Sequence, residues 1–333
     1  MSQISVIVPA YNVEKYINKC FESIVAQSFF DFEVIVLNDG STDQTLNLIR
    51  EWEQKDFRFK VIDKKNEGVG VTRNLGLSLA KSPYVIFIDP DDYLHPLMLE
   101  KLFLTISNNQ APLAICGYYD CFEDSDEQYE ISMPRFETQY VDLNQHKELL
   151  MKINPAPWNK LIKREVLQEN NLKFPTDYRS EDLAFTLKLL AHCEGVAIVD
   201  EPLYYYLANR ANNVSSTYDD RILHTLTALR TVMEYYREMK RFEIYAQELE
   251  MVTINQVLYE LQKVIYIKDE KLAMRIINEF YDYLENEFSS WSNNPYYIDS
   301  KSKLGYKNKF RSIIYSSKQN LKRFYQLRKL IKS

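Results

Sequence analysis

Tyr84-Val85-Ile86-Phe87-Ile88-Asp89-Pro90-Asp91-Asp92 is the stretch from which the fold is read. A short run of β-branched and aromatic residues, entered through Ser82-Pro83, stops at three carboxylates within four positions. Such a run, bounded by turn residues, predicts a buried central strand. The acids then stand at its C-terminal end, the edge at which open α/β sheets bind ligands. The Asp89-x-Asp91 spacing suits a hard divalent cation held through oxygen against a phosphorylated ligand. A polar loop after a buried strand has the same appearance, so the neighbouring segments must decide.

Strand and helix patterns alternate over the first hundred residues. Ile4 to Val8, Glu33 to Leu37 and Phe59 to Ile62 read as strands, and Val13 to Gln27 and Val71 to Leu79 as helices. Thr42-Asp43 open a further helix as an N-cap pair, with Leu46, Ile49 and Trp52 on its inner face. This alternation predicts a parallel sheet with right-handed crossovers, the nucleotide-binding half of a doubly wound fold. The first, second and fourth strands then share one edge, which gathers Pro9-Ala10-Tyr11-Asn12, the stretch from Asn38 to Asp43, and the acid cluster. Asn66-Glu67-Gly68-Val69-Gly70 leads into a helix bearing Arg73. Its glycines permit close backbone approach, its N-terminus favours an anion and Arg73 is in reach of a phosphate.

Leu113 to Phe122 is another strand, and the acidic Glu123 to Glu127 after it is expected to be an exposed loop without chemistry. Trp158 sits in a proline-stiffened connection beside Asn159 and Lys160, where it suits either a sugar ring or packing under the loop. Ser180-Glu181-Asp182 precede an apolar helical pattern; an N-cap followed by two dipole-favoured acids accounts for them without chemistry. Arg210 to Thr217 is polar enough for a mobile loop, and beyond Asp219 the pattern is helical, near 220–241, 243–267, 269–289 and 305–332. Two domains are expected, 1–217 and 218–333.

Of 333 residues 46% are hydrophobic and 26% charged, as in ordinary soluble proteins, with 25 Tyr against 7 Gly. Cys20, Cys116, Cys121 and Cys193 have no metal-ligand spacing, which suits a reduced, cytoplasmic chain. The Ile4 to Val8 run is too short for a secretory signal, so no signal peptide is expected, and no apolar run reaches membrane-spanning length. The net charge of −6 hides a division: residues 301–333 hold eleven Lys and Arg and no acid, so the body is acidic. That tail suits either an anionic membrane surface or packing on its own domain. Nucleic acid is not a fitting partner, since no recognised module accompanies the charge. A helical C-terminal region of this length also suits a homodimer interface. The absence of Gly-x-Gly-x-x-Gly and of a Ser-His-Asp arrangement argues against a dinucleotide oxidoreductase and a serine hydrolase.

In order, Val6 to Asn12, Asn38 to Asp43, Asn66-Glu67-Gly68, Thr72 to Gly76, Asp89-Pro90-Asp91-Asp92 and Glu181-Asp182 resemble the motif series of glycosyltransferase family 2, over residues 3–215. The resemblance implies a GT-A fold: an α/β, mostly parallel nucleotide-binding sheet flanked by helices, here followed by an all-α C-terminal region. It implies that Pro9, Tyr11 and Asn12 border a uridine, that Asp39 bonds the uracil edge, and that Asn66 and Arg73 face the nucleotide or diphosphate. Asp89 would lie near the ribose or donor sugar and, with Asp91, would hold Mn²⁺ or Mg²⁺. Asp182 would be the general base with Glu181 beside it, and Arg210 and Ser215 would close over the diphosphate. Trp158, His95 and Tyr178 are candidates for the acceptor face. Pro90 departs from the family, where Ser is commoner, and removes an amide donor.

The implied activity is metal-dependent, inverting transfer of one hexose from a UDP-sugar to a hydroxyl of a glycan acceptor, in cell-surface polysaccharide or glycoprotein glycan synthesis. Galactose, glucose and their N-acetyl forms stay open, as do a lipid-linked oligosaccharide and a glycosylated protein as acceptor. Processive relatives carry membrane spans and Gln-x-x-Arg-Trp; the chain has neither. The expected location is cytoplasmic, with peripheral attachment to the inner face of the membrane in view. The alternative is a non-catalytic nucleotide- or glycan-binding protein of the same fold, against which Asp91 and Asp182 both speak.

Overall fold

The computed structural model describes residues 2–123, 125–208, 218–302 and 314–332. Strands and helices alternate as β1 (Ile4–Ala10), α1 (Ile17–Val25), β2 (Phe32–Asp39), α2 (Thr45–Lys55), β3 (Phe59–Lys64), α3 (Val69–Leu79) and β4 (Tyr84–Phe87). Then come β5 (Tyr93–Leu94), α4 (Met98–Asn108), β6 (Leu113–Phe122), β7 (Ser125–Ile131), β8 (Tyr140–Asp142) and α5 (Leu149–Lys152). They are followed by β9 (Lys160–Lys163), α6 (Arg164–Glu169), α7 (Glu181–Leu190) and β10 (Gly195–Ala208). The remaining helices are α8 (His224–Glu238), α9 (Ala246–Lys263), α10 (Glu270–Glu287), α11 (Pro295–Ser302) and α12 (Lys318–Lys332).

Among the described residues one sheet runs in the order β3-β2-β1-β4-β9-β6-β10-β5, with β7 on β6 and β8 on β10. The β3-β2-β1-β4 half is parallel, as is β6 with β10. β9 is inserted antiparallel between β4 and β6. β1 and β2 are buried along their whole length, as expected of parallel strands covered on both faces. Ile4, Val6 and Val8 belong to one core with Phe21 and Ile24 of α1 and Leu99 and Leu102 of α4. On the opposite face α3 lies so close to β1 that a Cβ on Gly76 would come within 2.4 Å of Ile7 Cγ2. Phe87, Phe174 and Phe185 pack there as an aromatic trio, with Phe174 and Phe185 stacked at 3.8 Å.

Several local expectations need correction. The acidic stretch after β6 does not stay a loop, because from Ser125 it turns back as β7. That edge strand is exposed on nearly every residue and so lacks the apolar alternation by which a strand is recognised. Asp43 supports the start of α2, accepting from Thr45 N at 3.0 Å, with Glu14 Oε2 accepting from Gln44 N at 2.8 Å, whereas Thr42 is turned to Asn12. Ser180 stands just before α7 with its carbonyl accepting from Ala184 N at 3.3 Å, but its φ is +68° and its hydroxyl pairs with that of Thr225.

The chain forms two compact units, Met1–His146 with Pro155–Thr176 and Phe185–Asn213, and Lys147–Asn154 with Asp177–Ala184 and Val214–Ser333. The second unit thus takes in Glu181 and Asp182. Its core is built from Leu229, Val232 and Met233 of α8, Leu249 and Leu261 of α9, and Ile276, Ile277 and Phe280 of α10. Asp269 caps α10, accepting from Lys271 N and Leu272 N. In the basic tail Leu321 and Tyr325 of α12 are buried, and Tyr325 Oη donates to Ile267 O at 2.8 Å. Part of that helix's apolar side therefore packs on its own unit, while Leu327 is exposed. No described helix is long and apolar enough to cross a membrane.

Candidate active site

The C-terminal ends of β1, β2 and β4 gather the polar residues of the first unit. Beyond β1, Tyr11 is 47% exposed and Asn12 adopts φ +50°, a left-handed conformation that Asn tolerates better than most residues. Asn12 Oδ1 accepts from Thr42 N at 2.8 Å, and its own N–H donates to Ser41 Oγ at 3.1 Å. The loops after β1 and β2 are thereby tied together. Gly40 has φ +69°, and a Cβ there would come within 2.7 Å of Asn66 N, so the third loop also closes on this point. Asn66 itself is exposed.

Asp39, at the end of β2, is buried and engaged by its own chain. Its Oδ1 accepts from Lys64 Nζ at 2.5 Å and Glu67 N at 3.0 Å, and its Oδ2 from Gly68 N at 3.0 Å. Burial pushes this carboxyl up, but Lys64 and the two amides outweigh it and hold the carboxyl below its ordinary value. Asp39 is therefore a strut beneath the Asn66-Glu67-Gly68 loop. Lys64, its partner across the β2–β3 register, was not singled out from the sequence. Only the pairing of two parallel strands reveals it.

The acid cluster is a turn closed by Asp92 N donating to Asp89 O at 3.1 Å. Pro90, buried, occupies the second position, where its fixed φ suits a β-turn. The three carboxylates do not play one role. Asp89 pairs with Arg73 Nη2 at 2.9 Å, and Arg73, only 3% exposed, lies over the Phe174 ring. Asp92 is 1% exposed and turned to β10, accepting from Tyr204 Oη at 2.6 Å and Leu207 N at 2.8 Å. Burial, then Asp91 and Asp89, push its carboxyl well above the usual range. Tyr204 Oη also accepts from Asp89 N at 3.3 Å, so one phenol holds both ends of the turn. Asp91, third in the turn, is only partly buried. Removing the phenol in Tyr204→Phe is expected to cost about 1–3 kcal/mol, since Asp92 keeps its burial but loses a donor. Thermal unfolding of the variant checks this, and an unchanged midpoint would contradict it.

Among the described residues no group of three or more His, Cys, Asp or Glu could enclose a metal ion. The turn thus cannot cage an ion by itself. It does suit an ion that arrives on phosphate oxygens and keeps much of its water, as Mg²⁺ does with one or two carboxylates.

The remaining candidates fall apart spatially. Trp158 is 2% exposed, stacked on Tyr204 at 4.3 Å and edge-on to Tyr118, so it is core packing and presents no face to an acceptor. His95 is half-buried, and its Nδ1 accepts from Leu97 N in the turn before α4. Tyr178 belongs to the second unit; burial raises the pKa of its hydroxyl, with Thr231 opposing that shift. Glu181 and Asp182 form the first turn of α7. Arg210 and Ser215 lie outside the described residues. Lys160 is fully buried, its Nζ donating to Ala156 O and Asn159 Oδ1, a position that nothing in its local pattern announces.

The family model described as Glycosyl transferase family 2 matches residues 5–170. EpsH of Bacillus subtilis, which bears a glycosyltransferase name, is 30% identical over 252 residues, 74% of this chain and 73% of EpsH. The chain belongs to glycosyltransferase family 2. The glycosyltransferase GlyA of Streptococcus pneumoniae is 29% identical over 86% of the chain, which spans 42% of GlyA's length. The crystal structure of Staphylococcus aureus TarS 1–349 is similar with a TM-score of 0.63 at 21% identity, covering 92% of this chain and 93% of that one. The same fragment in complex with UDP-GlcNAc gives 0.57. These likenesses show the GT-A fold. The family motifs thus correspond to the edge described above, with Asp39 as strut, Arg73 paired to Asp89, and Asp92 turned inward.

Proposed function

We propose that the protein transfers one hexose from a UDP-sugar to a hydroxyl of a glycan acceptor, with inversion. The observation that carries this is the acid turn at the carboxyl edge of β4, with Arg73 drawn onto Asp89 and Asp91 at the partly buried corner. The UDP complexes of the structurally similar TarS support uridine as the nucleoside. Tyr11 offers an exposed ring to the base, beside Pro9 and Asn12. Asp39 keeps a lone pair on Oδ2 beyond the bond from Gly68 N, and presents it to the uracil imide. Asp91, with Asp89 behind it, would hold Mn²⁺ or Mg²⁺ against the diphosphate, and that ion supplies charge neutralisation to the leaving group.

Asp182 takes the proton of the acceptor hydroxyl as its oxygen bonds to the anomeric carbon. The carbon–oxygen bond to the diphosphate breaks on the opposite face, and UDP leaves with the electron pair. One metal-binding acid, Asp91, and one separate base acid, Asp182, suit a single displacement with inversion. The test is calorimetric titration of UDP with and without Mn²⁺, followed by UDP release from UDP-glucose, UDP-galactose, UDP-GlcNAc and UDP-GalNAc. UDP binding that strengthens with Mn²⁺, and hydrolysis of one donor above the rest, are expected. No UDP binding under either condition would overturn the uridine assignment.

A further inference from the structure

Apart from Asp182 itself, the helical second unit has so far no part in the reaction, yet it contains the bend that leads to that residue. Tyr178, Arg179 and Ser180 enter α7 through a bend in which Ser180 has φ +68°. A non-glycine residue in this left-handed region costs energy and persists only where its surroundings enforce it. Those surroundings are the first residues of α8. Arg179 N donates to His224 Nδ1 at 3.0 Å, and the hydroxyls of Ser180 and Thr225 lie 3.0 Å apart. The backbone amide at one position and the side chain at the next are thus both held by consecutive residues of one helix end.

The anchors are themselves supported. An imidazole that accepts at Nδ1 carries its proton on Nε2, so the Arg179 bond selects one tautomer of His224. Thr225 is buried and its hydroxyl favours the charged form of Glu260 on α9. Burial pushes the Glu260 carboxyl up, while Lys263, whose Nζ is 2.9 Å away, opposes that shift. Ser180, Thr225, Glu260 and Lys263 make a polar chain within the helical unit. Such a chain is retained at a cost in desolvation, and what it fixes here is the bend immediately before Glu181 and Asp182. The Arg179 side chain, beside Asp219, Arg221 and Glu181, leaves that bend in charged company.

We infer that His224 and Thr225 are positioning residues: they clamp the Arg179-Ser180 bend and so aim Asp182 at the acceptor hydroxyl, which gives the helical unit a part in catalysis. This rests on Asp182 being the base. Misplacing a catalytic group by about an ångström costs up to about 100-fold in rate without touching the donor.

The full-length protein carries the test. Amide hydrogen exchange is followed in a peptide covering residues 177–184, together with UDP affinity, KM and kcat for hydrolysis of the best of the four UDP-sugars. His224→Leu and Thr225→Val should each speed exchange in that peptide roughly fivefold. They should lower kcat about 10-fold or more, with KM and UDP affinity within about twofold of the unmodified protein. His224→Asn and Thr225→Ser, which keep the acceptor and the hydroxyl, should restore both. Unchanged exchange, unchanged kcat, UDP affinity falling in step with kcat, or failure of the conservative variants to rescue would each overturn the clamp. Full turnover by Asp182→Asn would instead remove the base assignment, a failure that the exchange measurement distinguishes because it does not depend on activity.

Discussion

Asp91→Ala should abolish the Mn²⁺-dependent part of UDP binding and lower donor turnover by about 10²–10³-fold, the scale on which a lost electrostatic partner of a leaving group is felt. The size of the effect follows from the division of labour in the turn. Asp92 faces inward to Tyr204 and Leu207, Asp89 is bound to Arg73, and Asp91 stands partly buried at the third position of the turn, where the proposed reading puts the ion on the diphosphate. Titration of UDP against the variant with and without Mn²⁺ reads the effect directly. Retained metal dependence would transfer the role to Asp89. Asp91 is not a partner in the Asp92 N to Asp89 O closure or in the Tyr204 bonds, and thermal unfolding of the variant separates loss of binding from loss of fold.

The second large effect is expected at Asp182. Asp182→Asn keeps shape and hydrogen-bonding capacity but cannot take a proton, so turnover should fall at least about 100-fold. UDP affinity should hardly change, because the base acts on the acceptor and not on the nucleotide. Single-turnover measurement with saturating donor separates the two quantities, and a variant with full turnover would show that another group accepts the proton. Together the two substitutions divide the site: one removes donor binding, the other removes chemistry while donor binding persists.

Much of this arrangement was legible in the sequence. The Tyr84 to Ile88 run, the apolar Ile4 to Val8 run and the helical spacing between them are local patterns, and local patterns set element type. The acid turn was legible because Pro90 and the three carboxylates interrupt an apolar run abruptly. What misled was residue type without context. Trp158 beside Asn159 and Lys160 suits a sugar ring or packing equally by residue type, and the stacked Tyr204 claims its ring for packing. The acidic Glu123 to Glu127 looked like a loop, but from Ser125 the chain pairs with β6 as an edge strand that needs no apolar face.

By itself, then, the sequence determined the alternation of strands and helices, the edge at which the polar loops collect, and the family to which they belong, because each depends on periodicity and turn chemistry within a few residues. The tertiary structure decided which partner each of those polar residues takes. It set Lys64 against Asp39, Arg73 against Asp89, Tyr204 against Asp92 and His224 against the Arg179 amide. These pairs are separated in sequence by up to 112 residues. Their choice rests on strand register and on which side chains lose contact with water, and neither is a property of any short stretch of chain.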